Sequence, residues 1–157
     1  MSKTTAATHA LTAAGFAFVL YPYEYDPDAP RIGLQAAQAL NREPEQVFKS
    51  LMAEVDGKPV CVVVPSDGEV SMKKLAAAFH GKAAQMMRPV DAERITGFKV
   101  GGISPFGQRK RVPTAIDETA QLFTEVLINA GQRGLLLGIA PDDALEATGG
   151  RFADLMA

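Results

Sequence analysis

The sequence predicts an α+β fold in which strands and short helices are mixed. The clearest local signal is Asp56-Gly57, a dipeptide that favours a tight hairpin turn, between the apolar runs VFKSLMAEV and KPVCVVVP. Other segments repeat apolar residues at the helical spacing of three and four residues. Because a hairpin joins antiparallel strands and strict strand–helix alternation is absent, we expect some neighbouring strands to be antiparallel in an α+β domain.

The helical signals come in chain order. In the first helix Ala7, Ala10, Leu11 and Ala14 share one face, and Gly15 stands where a C-terminal cap would. The other predicted helical segments are LQAAQALN (34–41), a turn at EPEQ (43–46), the stretch from Met72 to Phe79, DAERIT (91–96), and a last helix that starts at Pro141.

The strands beyond the hairpin are predicted from apolar and β-branched runs. Pro22 lies inside the first of them and suggests a strand at a sheet edge, because proline cannot donate to a ladder. These strands are FAFVLYPYEY (16–25), KAAQMM (82–87), TAID (114–117), TEVLIN (124–129) and GLLLGIA (134–140), with a turn at AGQRG (130–134).

Length and composition limit the classes of protein. The 157 residues predict one domain over residues 1–157, with 47% hydrophobic and 22% charged residues. A net charge of −2 argues against coating DNA or RNA through bulk charge. The sequence lacks an apolar run long enough for a bilayer, and its one cysteine fits a reducing compartment. We therefore expect a cytoplasmic protein that binds neither membrane nor DNA.

Few residues can supply classical catalytic chemistry. Cys61 lies among β-branched residues, where a cysteine is usually a buried hydrophobe rather than a reactive thiol. His9 and His80 have no metal-ligand spacing to a cysteine or carboxylate, and no nucleophile elbow or nucleotide-binding glycine motif occurs. The sequence therefore predicts neither a metal nor a cofactor.

Two features leave a choice between a structural and a functional interpretation. Lys49, inside an apolar strand, either extends to water or points into a cavity that holds an anion or a carbonyl group. The stretch GGISPFGQRKRVP (101–113) is either a wide turn or a loop whose backbone N–H groups bind a carbonyl, carboxylate or phosphate.

Several motifs, taken in order, resemble the YbaK/EbsC family of aminoacyl-tRNA deacylases, which is related to the editing domain of bacterial prolyl-tRNA synthetase. The resemblance covers nearly the whole chain, and the match at 101–111 is the most specific. The matching motifs are YEYDP (23–27), LQAAQAL (34–40), EPEQVFKSL (43–51), SMKKLAAAF (71–79), ITGFKVGGISPFGQRKR (95–111) and AGQRG (130–134).

This resemblance implies a single YbaK/aminoacyl-tRNA synthetase-associated domain of the α+β class. Its curved, mostly antiparallel mixed sheet would close toward a barrel, with helices around it. It also implies hydrolysis of the ester between a mischarged amino acid and the 3′ end of tRNA, with Cys-tRNA(Pro) as the leading substrate and another small amino acid next. The nucleophile would be water or, in a lyase-like variant, the substrate's own thiol.

The family's essential lysine corresponds to Lys49, its tyrosine to Tyr23 and its backbone glycine to Gly101. Lys49 would anchor the acceptor-end phosphate or ribose, and the N–H groups of Gly101 and Gly102 would contact the amino acid or the oxyanion. We expect Ile103 and Ser104 to face the substrate with them.

The chain departs from the Cys-specific pattern near the expected pocket. Asn129 replaces a serine and Leu136 replaces an aspartate, so the pocket should be less polar, with a shifted specificity. Tyr25 stands where the family has histidine. Ser50, by contrast, matches the Cys-type branch.

Basic residues could meet tRNA phosphates or remain solvated surface. Those assigned to tRNA contact are Lys73, Arg109, Lys110, Arg111 and Arg133. Prolyl-tRNA synthetase is a candidate partner. A non-catalytic module that binds the aminoacyl end of tRNA is the alternative function, and a plain small-molecule esterase ranks below it.

Overall fold

The structure, a computed structural model, describes residues 4–29 and 32–157. The described chain forms five α-helices: α1 (Ala6–Ala13), α2 (Ile32–Ala39), α3 (Met72–Ala78), α4 (Pro89–Thr96) and α5 (Pro141–Thr148). It also forms eight strands: β1 (Val19–Pro22), β2 (Phe48–Val55), β3 (Lys58–Pro65), β4 (Ala84–Met86), β5 (Thr114–Asp117), β6 (Val126–Gln132), β7 (Leu135–Ile139) and β8 (Arg151–Ala153). None of these helices is long and apolar enough to cross a bilayer.

The predicted hairpin is confirmed. β2 and β3 pair antiparallel from Phe48 opposite Pro65 to Val55 opposite Lys58. Asp56 and Gly57 form the two-residue turn with φ of 50° and 81°, the left-handed conformations that a type I′ turn requires. This long, local pairing places Lys49 and Ser50 near one end of the ribbon.

The described strands form two sheets. The first has the order β1-β7-β6 and is antiparallel, with β1 at its edge, as Pro22 predicts. The second has the order β4-β2-β3-β5-β8, and its β3–β5 and β5–β8 pairs are parallel. A parallel bridge between Val47 and Leu127 connects the two sheets. Closure into a barrel is not found among the described residues.

Buried hydrophobic residues form three clusters against these sheets. Cys61 and Val63 of β3 face a large core shared with Ile128 and Leu137 of the other sheet. The alternate β3 residues Val60, Val62 and Val64 face a second cluster that includes Leu75 of α3. The second sheet is thus buried on both faces, which explains the continuous apolar run of β3. A third cluster packs α2 against Leu127 and Leu136 of the first sheet.

Three local predictions differ from the structure. The run 16–25 forms a strand only over Val19–Pro22, since β1 pairs only with residues 135–138 of β7. The predicted turn at 130–134 is shorter, because a bulge between Asn129 and Gln132 carries β6 onward to Gln132. Three-residue β8 had no detectable signal, because its pairing with β5 joins residues far apart in the chain.

Candidate functional site

A cavity of about 370 Å³ lies at one edge of β2, and a mostly apolar surface lines it. The predicted site residues in its wall are Tyr23, Lys49, Ser50, Gly101, Ile103, Asn129 and Leu136. Segments distant in sequence thus meet at one concave surface, a typical form for a small-molecule or ligand-end site.

The cavity exists because half of β2 has an edge without a strand partner. β3 pairs with β2 along its whole length, whereas β4 covers only Ala53–Val55 on the other edge. Successive strand residues point to opposite faces of a sheet. A cavity at an uncovered edge can therefore be reached from both faces, which explains why Lys49 and its neighbour Ser50 both line it.

Lys49 is half-buried in the cavity wall. Its Nζ donates a hydrogen bond of 3.1 Å to the carbonyl oxygen of Gly68. The side chain is thus held by the protein rather than extended into bulk water. Because an ammonium group has three donors, two N–H groups remain for a ligand oxygen.

Ser50 has a buried hydroxyl for which no described residue is a hydrogen-bond partner. A buried hydroxyl without a partner costs free energy, so such a group usually meets a water molecule or a ligand. Its place in the cavity wall makes Ser50 a polar contact available to a bound molecule.

Tyr23 follows β1, and its backbone N–H donates to the carbonyl oxygen of Gly134 at 2.8 Å. Burial raises the pKa of the Tyr23 hydroxyl group. A hydrogen bond with the backbone of Gly134 opposes this rise, and the nearby Tyr25 adds a smaller upward contribution. A raised pKa keeps the phenol protonated at neutral pH. Tyr23 is therefore suited to donate a hydrogen bond in the cavity and not to act as a base.

The glycine-rich loop only partly matches the prediction. Gly101 and Ile103 line the cavity, but Gly102 and Ser104 are buried away from it. The N–H of Gly102 already donates to the carbonyl oxygen of Lys99 at 2.8 Å, and a Cβ there would lie 2.8 Å from the backbone nitrogen of Arg133. Neither Gly102 nor Ser104 lines the cavity, so substrate contacts by these two residues stay a prediction. Gly102 packs against the β6–β7 turn, and the Ser104 hydroxyl accepts a hydrogen bond from the N–H of Phe106 within the loop. Of the two expected N–H donors, only that of Gly101 can serve.

Asn129 and Leu136 lie directly opposite each other on β6 and β7. The Asn129 amide oxygen accepts from the N–H groups of Gly131 and Gln132, at 2.6 Å and 3.1 Å. Its nitrogen donates to the carbonyl oxygen of Gly101 at 3.2 Å. The amide is therefore occupied in holding the β6 bulge and the loop together, and Leu136 presents an apolar surface to the cavity.

Of the predicted cations, Arg133 adjoins the cavity mouth. Its Nε lies 3.1 Å from the position of a Cβ on the cavity-lining residue Gly101. The others are exposed and do not line the cavity: Lys73, Arg109, Lys110 and Arg111. As predicted, the basic half of the loop faces outward.

Sequence reasoning missed most of the apolar wall. Met86 and Met87, together with Pro89 and Ala92 of α4, form one side of the cavity. The adjacent methionines of KAAQMM were the available signal, because methionine often lines adaptable binding surfaces. Tyr25, noted only as a departure from the family pattern, also lines the cavity.

Cys61 should be chemically inert in the folded protein. Burial raises the pKa of its thiol to about 12, although a hydrogen bond from Gln108 opposes the shift. Below that pH the neutral thiol dominates, so at about pH 8 only about one molecule in ten thousand carries the reactive thiolate.

We expect no reaction of Cys61 with a disulfide reagent in native buffer and one thiol titrated in concentrated guanidinium chloride. Labelling of native protein at the rate of a free thiol would contradict this.

Comparison with known proteins identifies the class of protein to which this chain belongs. The model of the aminoacyl-tRNA editing domain family matches residues 26–147. The chain therefore belongs to the aminoacyl-tRNA editing domain family.

Individual similar proteins indicate which kinds of editing protein the chain resembles. The chain is 38% identical over 121 residues to EbsC of Enterococcus faecalis (strain ATCC 700802 / V583), a candidate Cys-tRNA(Pro)/Cys-tRNA(Cys) deacylase, covering 76% of this chain and 73% of EbsC. It is 27% identical over 122 residues to proline–tRNA ligase of Geobacillus kaustophilus (strain HTA426), covering 77% of this chain but 21% of the ligase. A solved structure described as a candidate trans-editing enzyme for prolyl tRNA synthetase superposes with a TM-score of 0.85 at 26% identity, covering 99% of each chain. The first of these names describes a deacylase and the third a trans-editing enzyme, and none supports the lyase-like variant.

Proposed function

We propose that this protein is a trans-editing deacylase that hydrolyses the ester of a mischarged aminoacyl-tRNA. The observation that carries the proposal is the apolar cavity at the edge of β2, with Lys49 and the unpartnered hydroxyl of Ser50 in its wall. The substrates we favour are Cys-tRNA(Pro) or a tRNA carrying another small amino acid.

The side chains in the cavity suit an ester that is already activated. An aminoacyl ester needs its carbonyl polarised and a nucleophile positioned, and it does not need a strong protein nucleophile. Lys49 can place its ammonium group on an oxygen of the acceptor end, while Gly101 offers a backbone N–H to the developing oxyanion. Tyr23 and Ser50 supply neutral hydroxyl contacts. The attacking group in this proposal is water, with a substrate thiol as the other candidate nucleophile.

The wall around the amino acid favours a small, weakly polar side chain. Leu136 is only 4% exposed and lines the cavity where a carboxylate would have attracted a polar or charged group. Asn129 cannot compensate, because backbone groups already occupy its amide. We propose that these two positions shift the preference away from a strictly Cys-specific site.

The net charge of −2 indicates modest intrinsic affinity for tRNA, so a partner that supplies the tRNA would help. We propose prolyl-tRNA synthetase for this role, in keeping with the proline–tRNA ligases that share the domain.

The test is a panel of tRNAs mischarged with amino acids of increasing size, with correctly charged prolyl-tRNA as the control. We expect kcat/KM to be highest for cysteine or another small amino acid. Leu136→Val should shift the kcat/KM ratio by about 10-fold toward an amino acid one methylene larger, since one methylene is worth about 1–3 kcal/mol in such a pocket. The matched control is Leu137→Val, because Leu137 faces the core on the other side of the strand. Inertness toward the whole panel would reject the deacylase and favour the non-catalytic binding module.

A further inference from the structure

The mouth of the cavity carries a basic side chain that has no role in the deacylation proposed above. Arg133, in the turn between β6 and β7, is exposed, and its guanidinium carbon lies 5.6 Å from the centre of the Tyr25 ring. Its Nε donates a hydrogen bond of 2.9 Å to the carbonyl oxygen of Val100. Tyr25 and Val100 both line the cavity, so the guanidinium group sits on its rim.

These contacts fix the orientation of the guanidinium group. One edge is anchored through Nε, and one face is stacked on an aromatic ring, a favourable arrangement for a cation. No described residue accepts a hydrogen bond from either terminal nitrogen of Arg133 or pairs with the Tyr25 hydroxyl. The second edge of the guanidinium, a two-nitrogen fork that matches phosphate geometry, is thus preorganised and unoccupied by protein.

The surroundings favour an anion at this fork. Among the described residues, none that lines the cavity is acidic. The carboxylate of Glu93 accepts a hydrogen bond from the N–H of Val100 at 2.8 Å and forms no ion pair with Arg133 among the described residues. The Tyr25 hydroxyl lies 3.2 Å from the position of a Cβ on Gly101, so it can add a neutral donor beside the fork. A ligand that carries a phosphate at the mouth and an uncharged group inside would satisfy both regions.

We infer that Arg133 and Tyr25 form a phosphate subsite that holds the 5′-phosphate of the terminal nucleotide of the substrate. This inference rests on the proposed function. In a 3′-aminoacylated nucleotide, the ester and the 5′-phosphate lie on opposite sides of one ribose. An ester inside the cavity therefore leaves the phosphate at the mouth, and Gly101 contacts both regions.

The test compares adenosine with adenosine 5′-monophosphate as ligands of the intact protein, so it does not depend on deacylation. We expect the monophosphate to bind at least about 10-fold more tightly than adenosine, because hydrogen bonds to charged groups are among the stronger ones. Arg133→Ala should reduce that preference to less than about 2-fold. Inorganic phosphate alone should not displace the monophosphate at equal concentration. Equal affinity for the two ligands would overturn the subsite. Displacement by inorganic phosphate would overturn its assignment to the terminal nucleotide, because the site would then bind any phosphate.

Variants and a second readout separate a phosphate contact from a structural role. Tyr25→Phe should keep the stacked ring and most of the preference, whereas Arg133→Lys should lose much of it, because lysine lacks the fork. The matched control is Arg151→Ala, because Arg151 is an exposed arginine that stacks over the Phe79 ring and does not line the cavity. With mischarged tRNA, log kcat/KM should fall linearly with the logarithm of the salt concentration. Arg133→Ala should reduce the size of that slope by about 0.7, the value for one phosphate contact to a single strand. A preference unchanged in a folded Arg133→Ala protein would refute the inference even if deacylation is confirmed.

Discussion

Replacing Lys49 with alanine is expected to lower kcat/KM for the preferred mischarged tRNA by at least about 100-fold, within the range seen when one preorganised donor is removed from a reacting centre. Lys49 is the only cation in the cavity wall formed by the described residues, and the Gly68 carbonyl holds its Nζ in place. Its loss would remove both the charge and two hydrogen-bond donors from an otherwise apolar cavity. Single-turnover deacylation kinetics with the preferred substrate measure the effect.

Two variants make the Lys49 result interpretable. Lys49→Met keeps the length of the side chain and its apolar packing, so it should match the alanine variant in activity while retaining stability. Lys58→Ala removes an exposed lysine at the far end of the β2–β3 hairpin, which does not line the cavity, and should leave deacylation unchanged. Full activity of a folded Lys49→Ala protein on every substrate of the panel would eliminate the proposed role.

Replacing Gly107 with alanine is expected to give the second large effect, this time on stability. Gly107 has a φ of +70°, and an added Cβ would collide with the carbonyl oxygen of Ala6 in α1. Gly15 has a similar φ of +82° but nothing within 4 Å of an added Cβ. Both alanine variants would suffer the left-handed strain of about 1–2 kcal/mol. Only the Gly107 variant would also suffer the collision, which we expect to cost about 1–3 kcal/mol more.

Urea denaturation of the two variants measures this difference in the free energy of unfolding. The Gly107→Ala variant should have the lower midpoint, and its loop should also be displaced from α1, so deacylation should fall more than in Gly15→Ala. Equal midpoints would show that the loop can move away from α1 at no cost, which would contradict the close approach.

The locally determined parts of the fold were predictable. Asp56-Gly57 specifies its own turn, because both residues tolerate left-handed backbone, and the apolar runs on either side then pair in one register. Gly97 likewise ends α4 with a φ of +81°. The start of α4 at Pro89 was missed, because the signal at Asp91 marks its first turn rather than its cap. Such signals depend on a few neighbouring residues.

Some residues of the candidate site were predictable, but most of its apolar wall and its geometry were not. Motif resemblance selected Lys49, Gly101 and Leu136, all of which line the cavity. It also selected Gly102 and Ser104, which the structure buries. The difference depends on which way successive loop residues point, and that direction is set by packing against the β6–β7 turn.

By itself, the sequence determined the family, the hairpin, most of the helices and strands, and part of the cavity wall. Tertiary structure alone decided that β5 and β8 pair in parallel, that half of β2 keeps an uncovered edge, and that the Asn129 amide is used by backbone groups. Turns and caps are governed by backbone conformation and hydrogen bonds within a few residues. The cavity instead depends on segments as distant as Tyr23 and Leu136 being packed together, and no local pattern encodes that contact.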